Sequence, residues 1–113
     1  MRLHSTFENP LADAYERPGG AWDLPPLGEL FRPGRFTGVA LIDGENRLDH
    51  GVLDRAIQAL AGSLGDRGVG RGDVVSWQLP NWYEAVMLYR ACWLLGAIAV
   101  PLHHRLGVGA GIL

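Results

Sequence analysis

The segment from residue 73 to residue 102 constrains the fold of this chain more than any other. It begins with a short apolar run at residues 74–79 and closes with a second one at residues 97–102. Between them, residues 82–95 are apolar on almost every side, and a helix with so little polar surface has to be covered by several neighbours. Strand, buried helix and strand in this order predict a βαβ unit with two parallel strands, joined by a right-handed crossover.

The ends of the helix at residues 82–95 carry their own signals. Asn81, followed three residues later by Glu84, has the spacing of a capping box and predicts that the helix begins at Trp82. Gly96 follows the last apolar position, and glycine adopts the left-handed C-terminal conformation without strain.

A membrane-spanning helix is the competing interpretation of residues 85–102. Arg90 lies inside this run, and Gly96 and Pro101 interrupt it, whereas a span needs about 20 consecutive apolar residues. We therefore favour the βαβ unit and expect no membrane span.

A β-hairpin is predicted upstream of this unit. A short, largely apolar run at residues 37–42 and a second short segment at residues 45–48 flank the dipeptide Asp43-Gly44. This dipeptide favours a type I′ turn, because both central residues of that turn need a positive φ.

Residues 50–67 predict an amphipathic surface helix. Asp49 stands at the N-cap position, where its carboxylate can accept hydrogen bonds from the free amides of the first turn. Apolar residues recur at spacings of three and four, namely Val52, Leu53, Ala56, Ile57, Leu60, Ala61 and Leu64. The opposite face, expected to meet solvent, carries Asp54, Arg55, Gln58, Ser63, Asp66 and Arg67. Gly65 or Gly68 should end the helix.

The predicted core joins the apolar side of this helix to the βαβ unit. Its expected members are Leu53, Ile57, Leu60, Leu64, Val75, Met87, Ala91 and Val100. Residues 1–36, in contrast, are rich in proline and glycine and predict an irregular N-terminal arm lying over a neighbouring surface, with short helical pieces possible near residues 11–15 and 28–31. The expected anchors of this arm are Trp22, Leu24, Leu27, Leu30 and Phe31.

Composition excludes several classes of function. The formal net charge of the 113 residues is −2 and the ten arginines are scattered, so neither nucleic acid nor an anionic membrane is indicated as a partner. The single cysteine, Cys92, cannot form an internal disulfide, and its apolar surroundings predict a buried, inert thiol in a reducing compartment. Because the N-terminus lacks the apolar segment of a secretory signal, we expect a cytoplasmic protein.

Three smaller patterns are better explained by structure than by chemistry. The glycines of residues 68–72 follow a helix and open a strand, the reverse of a dinucleotide-binding loop, and predict a tight turn. His103 and His104 follow the C-terminal end of a strand, where open sheets bind ligands. Neighbouring residues of an extended chain point in opposite directions, however, and no third ligand stands at a suitable spacing, so we predict no metal site. The tryptophans Trp77, Trp82 and Trp93 have no basic groove beside them and are expected to serve in packing.

The ordered set of elements resembles the opening subdomain of the adenylate-forming (AMP-dependent) synthetases, the acyl-CoA synthetase and ligase family. The resemblance extends from residue 39 to about residue 105 and is carried by residues 39–43, 47–48, 53, 68–75, 79–81 and 96–102. Two departures stand out. Val52 replaces the acid of the family's capping box, and three glycines in residues 107–113 replace a helix, at a cost of about 1 kcal/mol each relative to alanine.

The resemblance implies an α/β fold, with a small, mostly parallel sheet, flanking helices and a β-hairpin. It divides the chain into the arm at residues 1–36, a partial N-terminal subdomain at residues 37–106 and a divergent tail at residues 107–113. Enzymes of this family activate a carboxylate with ATP and Mg²⁺ and pass the acyl group to a thiol such as coenzyme A, typically in fatty acid metabolism.

That chemistry requires a Ser/Thr/Gly-rich loop ending in lysine, whose amides hold phosphate oxygens, and a further catalytic lysine. The sequence has no such loop and no lysine at all, so we predict no catalytic, cofactor-binding or metal-binding residue. The chain is expected to be a truncated N-terminal portion of an acyl-CoA synthetase-like ligase, inactive alone. ATP, Mg²⁺ and coenzyme A are implied only for a full-length relative.

The alternative is a non-catalytic interaction module derived from the same subdomain. Exposed strand edges and large apolar patches favour association. Under either hypothesis we expect self-association or docking through the apolar helix and the sheet edge.

Overall fold

A computed structural model describes residues 12–107 of the chain and contains four helices and four strands in that range. In chain order they are α1 (Ala12–Glu16), α2 (Leu27–Leu30), β1 (Val39–Asp43), β2 (Asn46–Asp49), α3 (His50–Asp66), β3 (Val74–Trp77), α4 (Tyr83–Leu95) and β4 (Ile98–Pro101). The predicted α/β fold is confirmed. Of the predicted tail at residues 107–113, all but Gly107 lies outside the described residues.

The βαβ unit is present as predicted. Strands β3 and β4 pair in parallel, with Val74 opposite Ile98 and Trp77 opposite Pro101, and α4 connects them. Both strands are shorter than the apolar runs that predicted them. Pairing ends at Pro101, which has no amide hydrogen to donate, and only the amide of Leu102 still donates to the carbonyl oxygen of Trp77, at 2.8 Å.

The predicted capping box at the start of α4 is wrong. Helix α4 begins one residue later than expected, and its N-cap residue, Trp82, makes no capping hydrogen bond with its side chain. The first amide, that of Tyr83, instead donates to Oδ2 of Asp43 at 3.2 Å. The last residue of β1 therefore supplies the cap of a helix that lies 40 positions further along the chain.

The hairpin is confirmed, but its predicted turn type is wrong. Asp43 pairs with Asn46, so the central residues of the turn are Gly44 and Glu45, one position later than expected. Gly44 has a φ of +59°, and among residues 12–107 only glycines have a positive φ. A turn with a positive φ at its first central residue alone follows the type II′ pattern, which needs glycine at that position only.

Helix α3 begins and ends with the local signals expected from the sequence. Oδ1 of Asp49 accepts a hydrogen bond from the amide of Val52 at 2.7 Å, which confirms the N-cap. At the other end Gly68 has a φ of +93°. Its amide donates to the carbonyl oxygen of Gly65 at 2.9 Å, and that of Val69 donates to the carbonyl oxygen of Leu64 at 3.0 Å. These two bonds define a Schellman motif, and Gly68, rather than Gly65, terminates the helix.

The core lies between α3 and α4, and it is smaller than predicted. Its buried apolar residues are Leu53, Ile57, Ala61, Ala91 and Cys92. Leu53, Ile57 and Ala91 were expected there. The other five predicted members, Leu60, Leu64, Val75, Met87 and Val100, are only partly buried. A sheet of two strands covered by one helix layer has too few neighbours to bury them fully.

A buried ion pair joins the two long helices. Asp54 was predicted to face solvent, but it is only 5% exposed, and Arg90 is only 7% exposed. Nη2 of Arg90 donates to Oδ1 of Asp54 at 2.9 Å. The prediction assigned Asp54 to solvent because of its charge, although spacings of three and seven residues place it beside Ile57 and Ala61, on the side of α3 that is buried. Arg90 of α4 supplies the charge that Asp54 needs there.

The same ion pair fixes part of the predicted arm. Nη2 of Arg90 also donates to the carbonyl oxygen of Phe31 at 2.7 Å, and the amide of Gly34 donates to Oδ2 of Asp54 at 2.9 Å. The ring of Phe31 packs on Trp93, with centroids 5.4 Å apart. Two backbone groups and one aromatic contact therefore hold this part of the arm in place.

Two of the predicted anchors do not contact the core. Trp22 and Leu24 are 61% and 71% exposed, and Trp22 packs on Tyr15 of α1 instead. Helix α2 approaches α4 through its backbone, because a Cβ atom at Gly28 would collide with the carbonyl oxygen of Trp93. Trp82, expected to serve in packing, is half exposed.

Within residues 12–107, none of the helices has the length and apolar character that crossing a membrane requires.

Replacing Asp54 with alanine should lower the free energy of unfolding by about 3–5 kcal/mol, because Arg90 would remain as an unpaired buried charge. Urea unfolding followed by tryptophan fluorescence measures this change. The control, Asp66→Ala, removes an exposed acid of the same helix and should change stability by no more than about 0.5 kcal/mol. Equal stabilities for the two variants would show that the ion pair is not buried in solution.

Gly28→Ala should lower the free energy of unfolding by about 1–3 kcal/mol, because the new methyl group forces α2 away from α4. Gly62→Ala is the matched control, since nothing lies within 4 Å of a Cβ atom at this position of α3. The control should raise stability by about 0.5–1 kcal/mol through higher helix propensity. A neutral Gly28→Ala variant would contradict the close approach of the two helices.

Candidate functional site

The most distinctive surface of the described structure is one side of α4 that its neighbours cover only in part: β3 contacts it at Tyr89 and the residue after α2, Phe31, contacts it at Trp93. It is formed by Trp82, Ala85, Val86, Tyr89 and Trp93, which recur at helical spacing, and we call it the open face. Trp82 is 50% exposed and the other four residues are partly exposed. The opposite side of α4 carries Ala91 and Cys92 into the core against α3.

Three cavities border the open face, and Tyr89 lines all of them. The first, about 390 Å³, lies between α4 and α2, and its lining residues are Phe31, Val86, Tyr89, Arg90 and Trp93. The second, about 320 Å³, lies between α4 and β1. The third, about 340 Å³, lies at the C-terminal ends of β3 and β4, between Trp77 and His104. Cavities of this size are in the range that binds small molecules or accepts side chains of another protein.

Aromatic rings run along the open face in an unbroken series. Trp77 and Tyr89 meet edge to face at 4.9 Å, and Tyr89 lies 6.2 Å from Trp93. Phe31 continues the series from Trp93, and Phe36 follows Phe31 at 5.9 Å. Contacts of this kind stabilise each pair by about 0.5–1.5 kcal/mol beyond the area that they bury. The face is therefore a contiguous and largely aromatic surface.

The two histidines at the C-terminal edge of the sheet do not point apart as predicted. Their rings stack with centroids 4.8 Å apart, because β4 has already ended at Pro101 and the chain turns at His104. The side-chain amide of Gln78 donates to the carbonyl oxygens of His103 and Leu106, at 2.9 and 2.6 Å, and fastens this turn. Nowhere in residues 12–107 do three His, Cys, Asp or Glu side chains come together in an arrangement that could hold a metal ion.

The glycine-rich segment at residues 68–72 forms a turn between α3 and β3, as predicted. Gly72 has a φ of +84°, and its amide donates to the carbonyl oxygen of Gly96 at 3.0 Å. This bond ties the turn to the end of α4, at the N-terminal end of the parallel strands. In open α/β sheets ligands bind beyond the opposite ends of the strands.

Two side chains have perturbed acidities. Burial in the core raises the pKa of the Cys92 thiol, as expected for an inert cysteine. The neighbouring carboxylate of Glu84 raises the pKa of the Tyr83 phenol. Both shifts disfavour the charged form near neutral pH, so neither group supplies a nucleophile or a base there.

The described residues do not fit the ATP that the resemblance implies. The turn at residues 68–72 lies at the wrong end of the strands, and the sequence has no lysine to place beside a phosphate. What the structure brings together is a partly exposed aromatic surface, and the only sequence feature that indicated it is the unusually apolar character of α4.

Comparison with known protein families shows which family the chain belongs to. The model of the family described as "AMP-binding enzyme" matches residues 35–110, about two thirds of the chain. The chain belongs to this family, as its sequence resemblance predicted.

Two individual proteins with similar sequences are enzymes that act on carboxylic acids, by their names. The chain is 30% identical over 106 residues to the medium-chain fatty-acid–CoA ligase of Escherichia coli strain K12, covering 90% of this chain and 19% of that protein. It is 38% identical over 98 residues to a salicylyl-CoA synthase/salicylate adenylyltransferase of a Streptomyces species, covering 81% of this chain and 18% of that protein.

A solved structure shares the fold. It is the N-terminal subdomain of NpsA from Klebsiella oxytoca, in complex with 3-hydroxyanthranilyl-AMSN. The TM-score is 0.70 at 25% identity, and the match covers 75% of this chain and 23% of that one. The predicted membership of an N-terminal subdomain is thereby confirmed. The chain spans about a fifth of the length of the two curated relatives.

Cys92 should resist alkylation in the folded protein, because labelling needs both an accessible sulfur and its thiolate form. We expect slow reaction with Ellman's reagent near pH 8 under native conditions and rapid reaction in urea. The positive control is Ser63→Cys in a Cys92→Ala background, which presents a thiol on the exposed side of α3. Equal native rates for Cys92 and the control thiol would contradict the buried core.

Proposed function

We propose that this chain supplies the N-terminal part of an ATP-dependent acid–thiol ligase. Such an enzyme activates a carboxylate as an acyl-adenylate and then transfers the acyl group to a thiol such as coenzyme A. In this proposal the described residues form scaffold, and the groups that contact ATP, Mg²⁺ and the thiol belong to parts of the enzyme outside them. Alone, the 113 residues catalyse neither step, and they act in the cytoplasm.

The observation that carries the proposal is a parallel sheet covered on one face only. Parallel sheets are nearly always covered on both faces. Here the inner face, with Trp77, packs against α4. Val74 and Ile98 lie opposite each other on the outer face, and they are 60% and 37% exposed. This geometry supports a role as one layer of a larger enzyme, in agreement with the greater length of the relatives.

The chemistry of the acid follows from the relatives that share the family. One acts, by its name, on medium-chain fatty acids and another on salicylate. We therefore propose that the substrate of the complete enzyme is a carboxylic acid with an apolar aliphatic or aromatic substituent. A role in fatty acid metabolism corresponds to the aliphatic case.

A second candidate, the non-catalytic interaction module, is supported by the open face of α4. An apolar aromatic surface of one helix length is suited to hold a protein partner whether or not the chain takes part in catalysis.

The purified 113-residue chain should show no carboxylate-dependent exchange of pyrophosphate into ATP, because it lacks the lysine and the phosphate-binding loop. The full-length E. coli medium-chain ligase is the positive control under identical conditions. Exchange clearly above background, and proportional to the concentration of the chain, would contradict the proposal that the groups contacting ATP lie outside the described residues.

A chimera tests the scaffold role directly. The E. coli ligase without its matching N-terminal segment should be inactive, and the same deletion variant carrying residues 35–107 of this chain should regain exchange. A soluble, monodisperse chimera without activity would favour the interaction module.

A further inference from the structure

The cavity at the C-terminal ends of β3 and β4 combines aromatic and polar side chains in its lining. Trp77 and Tyr89, which meet edge to face, form part of its apolar wall. Three polar side chains also line it, namely Asn81, His103 and His104. Small-molecule sites are mostly apolar with a few polar groups that converge on the ligand, and in open α/β sheets they lie beyond the C-terminal ends of the strands. Position and lining therefore agree with a ligand site.

The polar groups of this cavity have hydrogen-bonding capacity to spare. Nδ1 of His103 accepts a hydrogen bond from the amide of Arg105 at 3.2 Å, so the neutral imidazole carries its proton on Nε2, which can donate. The side chains of Asn81 and His104 have no hydrogen-bond partner within residues 12–107. Among the described residues, no Asp or Glu lines the cavity. N–H donors without an acidic neighbour suit the oxygens of an anion.

The chain that carries the two histidines is held in one conformation. The side-chain amide of Gln78 binds the carbonyl oxygens of His103 and Leu106, and the amide of Leu106 donates to the carbonyl oxygen of His103 at 3.1 Å. The imidazole rings stack with an angle of 20° between their planes. Groups that are already ordered lose less conformational entropy when a ligand binds.

We propose that this cavity binds a small aromatic carboxylate. The ring of the ligand packs against Trp77 and Tyr89, and its carboxylate accepts hydrogen bonds from the imidazole of His103 and the side-chain amide of Asn81. The volume of about 340 Å³ lies near the lower limit of the roughly 300–1,000 Å³ of small-molecule sites and suits a ligand of one or two rings.

The inference deepens the ligase proposal, because it gives the acid substrate of the complete enzyme a binding site on this chain. The two proposals fail separately. Binding of an acid is measured on the chain alone, whereas the scaffold role is measured by pyrophosphate exchange in the chimera.

The tryptophans allow a titration with benzoate to be followed at each cavity of the 113-residue chain. Trp77 lines the proposed site, Trp82 and Trp93 each line one of the other two cavities, and Trp22 lines none of the three. In the ¹⁵N-labelled chain, the indole N–H signal of Trp77, assigned with Trp77→Phe, should shift saturably with a dissociation constant below about 1 mM. The signal of Trp22 should not move. Larger shifts at Trp82 or Trp93, or no saturable shift at Trp77, would overturn the proposal.

Two substitutions test the polar contacts. His103→Ala and Asn81→Ala should each raise the dissociation constant for benzoate about tenfold, because each removes a donor to the carboxylate. Both residues are exposed, so the substitutions spare the core. The matched control is Asn46→Ala, which removes an exposed asparagine that lines none of the three cavities, and it should leave the affinity unchanged. Unchanged affinity in both His103→Ala and Asn81→Ala would overturn the proposal.

A second acid tests the aromatic contact on the unaltered chain and decides the matter if the variants fail to fold. Cyclohexanecarboxylate carries the same charge as benzoate on a ring of similar size without aromatic character. It should bind about fivefold more weakly, because it forgoes the ring contacts with Trp77 and Tyr89. Equal affinity for the two acids would show that the cavity does not select an aromatic ligand and would overturn the proposal.

Discussion

The ion pair between Asp54 and Arg90 organises this structure. It joins α3 to α4, and through its remaining hydrogen-bonding atoms it also binds the backbone of Phe31 and Gly34. Two charges taken out of water are stabilising only when nearly all of their hydrogen-bonding capacity is used. Here the carboxylate uses both oxygens, and Nη2 of the guanidinium has two acceptors, although Nε of Arg90 has no partner. The arm, α3 and α4 therefore have to be in place together, because each supplies atoms that the others need.

This constraint explains why a small apolar core is sufficient to define the arrangement of the helices. Five buried apolar residues give little directional information, since apolar contacts tolerate sliding and rotation. A buried ion pair does not, because a shift of one turn would separate the charges in a low dielectric. We regard the pair as a device for specificity, placed where the two helices cross. The open face of α4 is a consequence, since the orientation that unites Asp54 with Arg90 turns Tyr89 and Trp93 away from α3.

Sequence patterns predicted the features that depend on neighbouring residues. The cap at Asp49, the C-terminal glycines Gly68 and Gly96, the hairpin and the parallel βαβ unit all follow from short-range chemistry, and all are present. The patterns failed where a residue finds its partner far along the chain. Asp43 capping α4, Asp54 meeting Arg90 and Phe31 on Trp93 join residues whose proximity no periodicity reveals. Asp54 was assigned to solvent because of its charge, since the sequence cannot show that a second helix brings the opposite charge to it. The excess of apolar residues in α4 predicted that this helix would carry an apolar surface. Which side of α4 forms that surface depends on the ion pair between Asp54 and Arg90, and the sequence did not reveal this pair.

The cap that Asp43 provides for α4 also affects the order in which the molecule assembles. A helix normally acquires its cap from the residue just before it, so that its first turn forms locally and early. Here the acceptor arrives from a strand 40 positions away, and closing so long a loop costs conformational entropy before the bond can form. The first turn of α4 is therefore completed only after the hairpin has folded and docked. Contacts of large sequence separation slow folding, and this single carboxylate makes the hairpin and the crossover helix one cooperative unit.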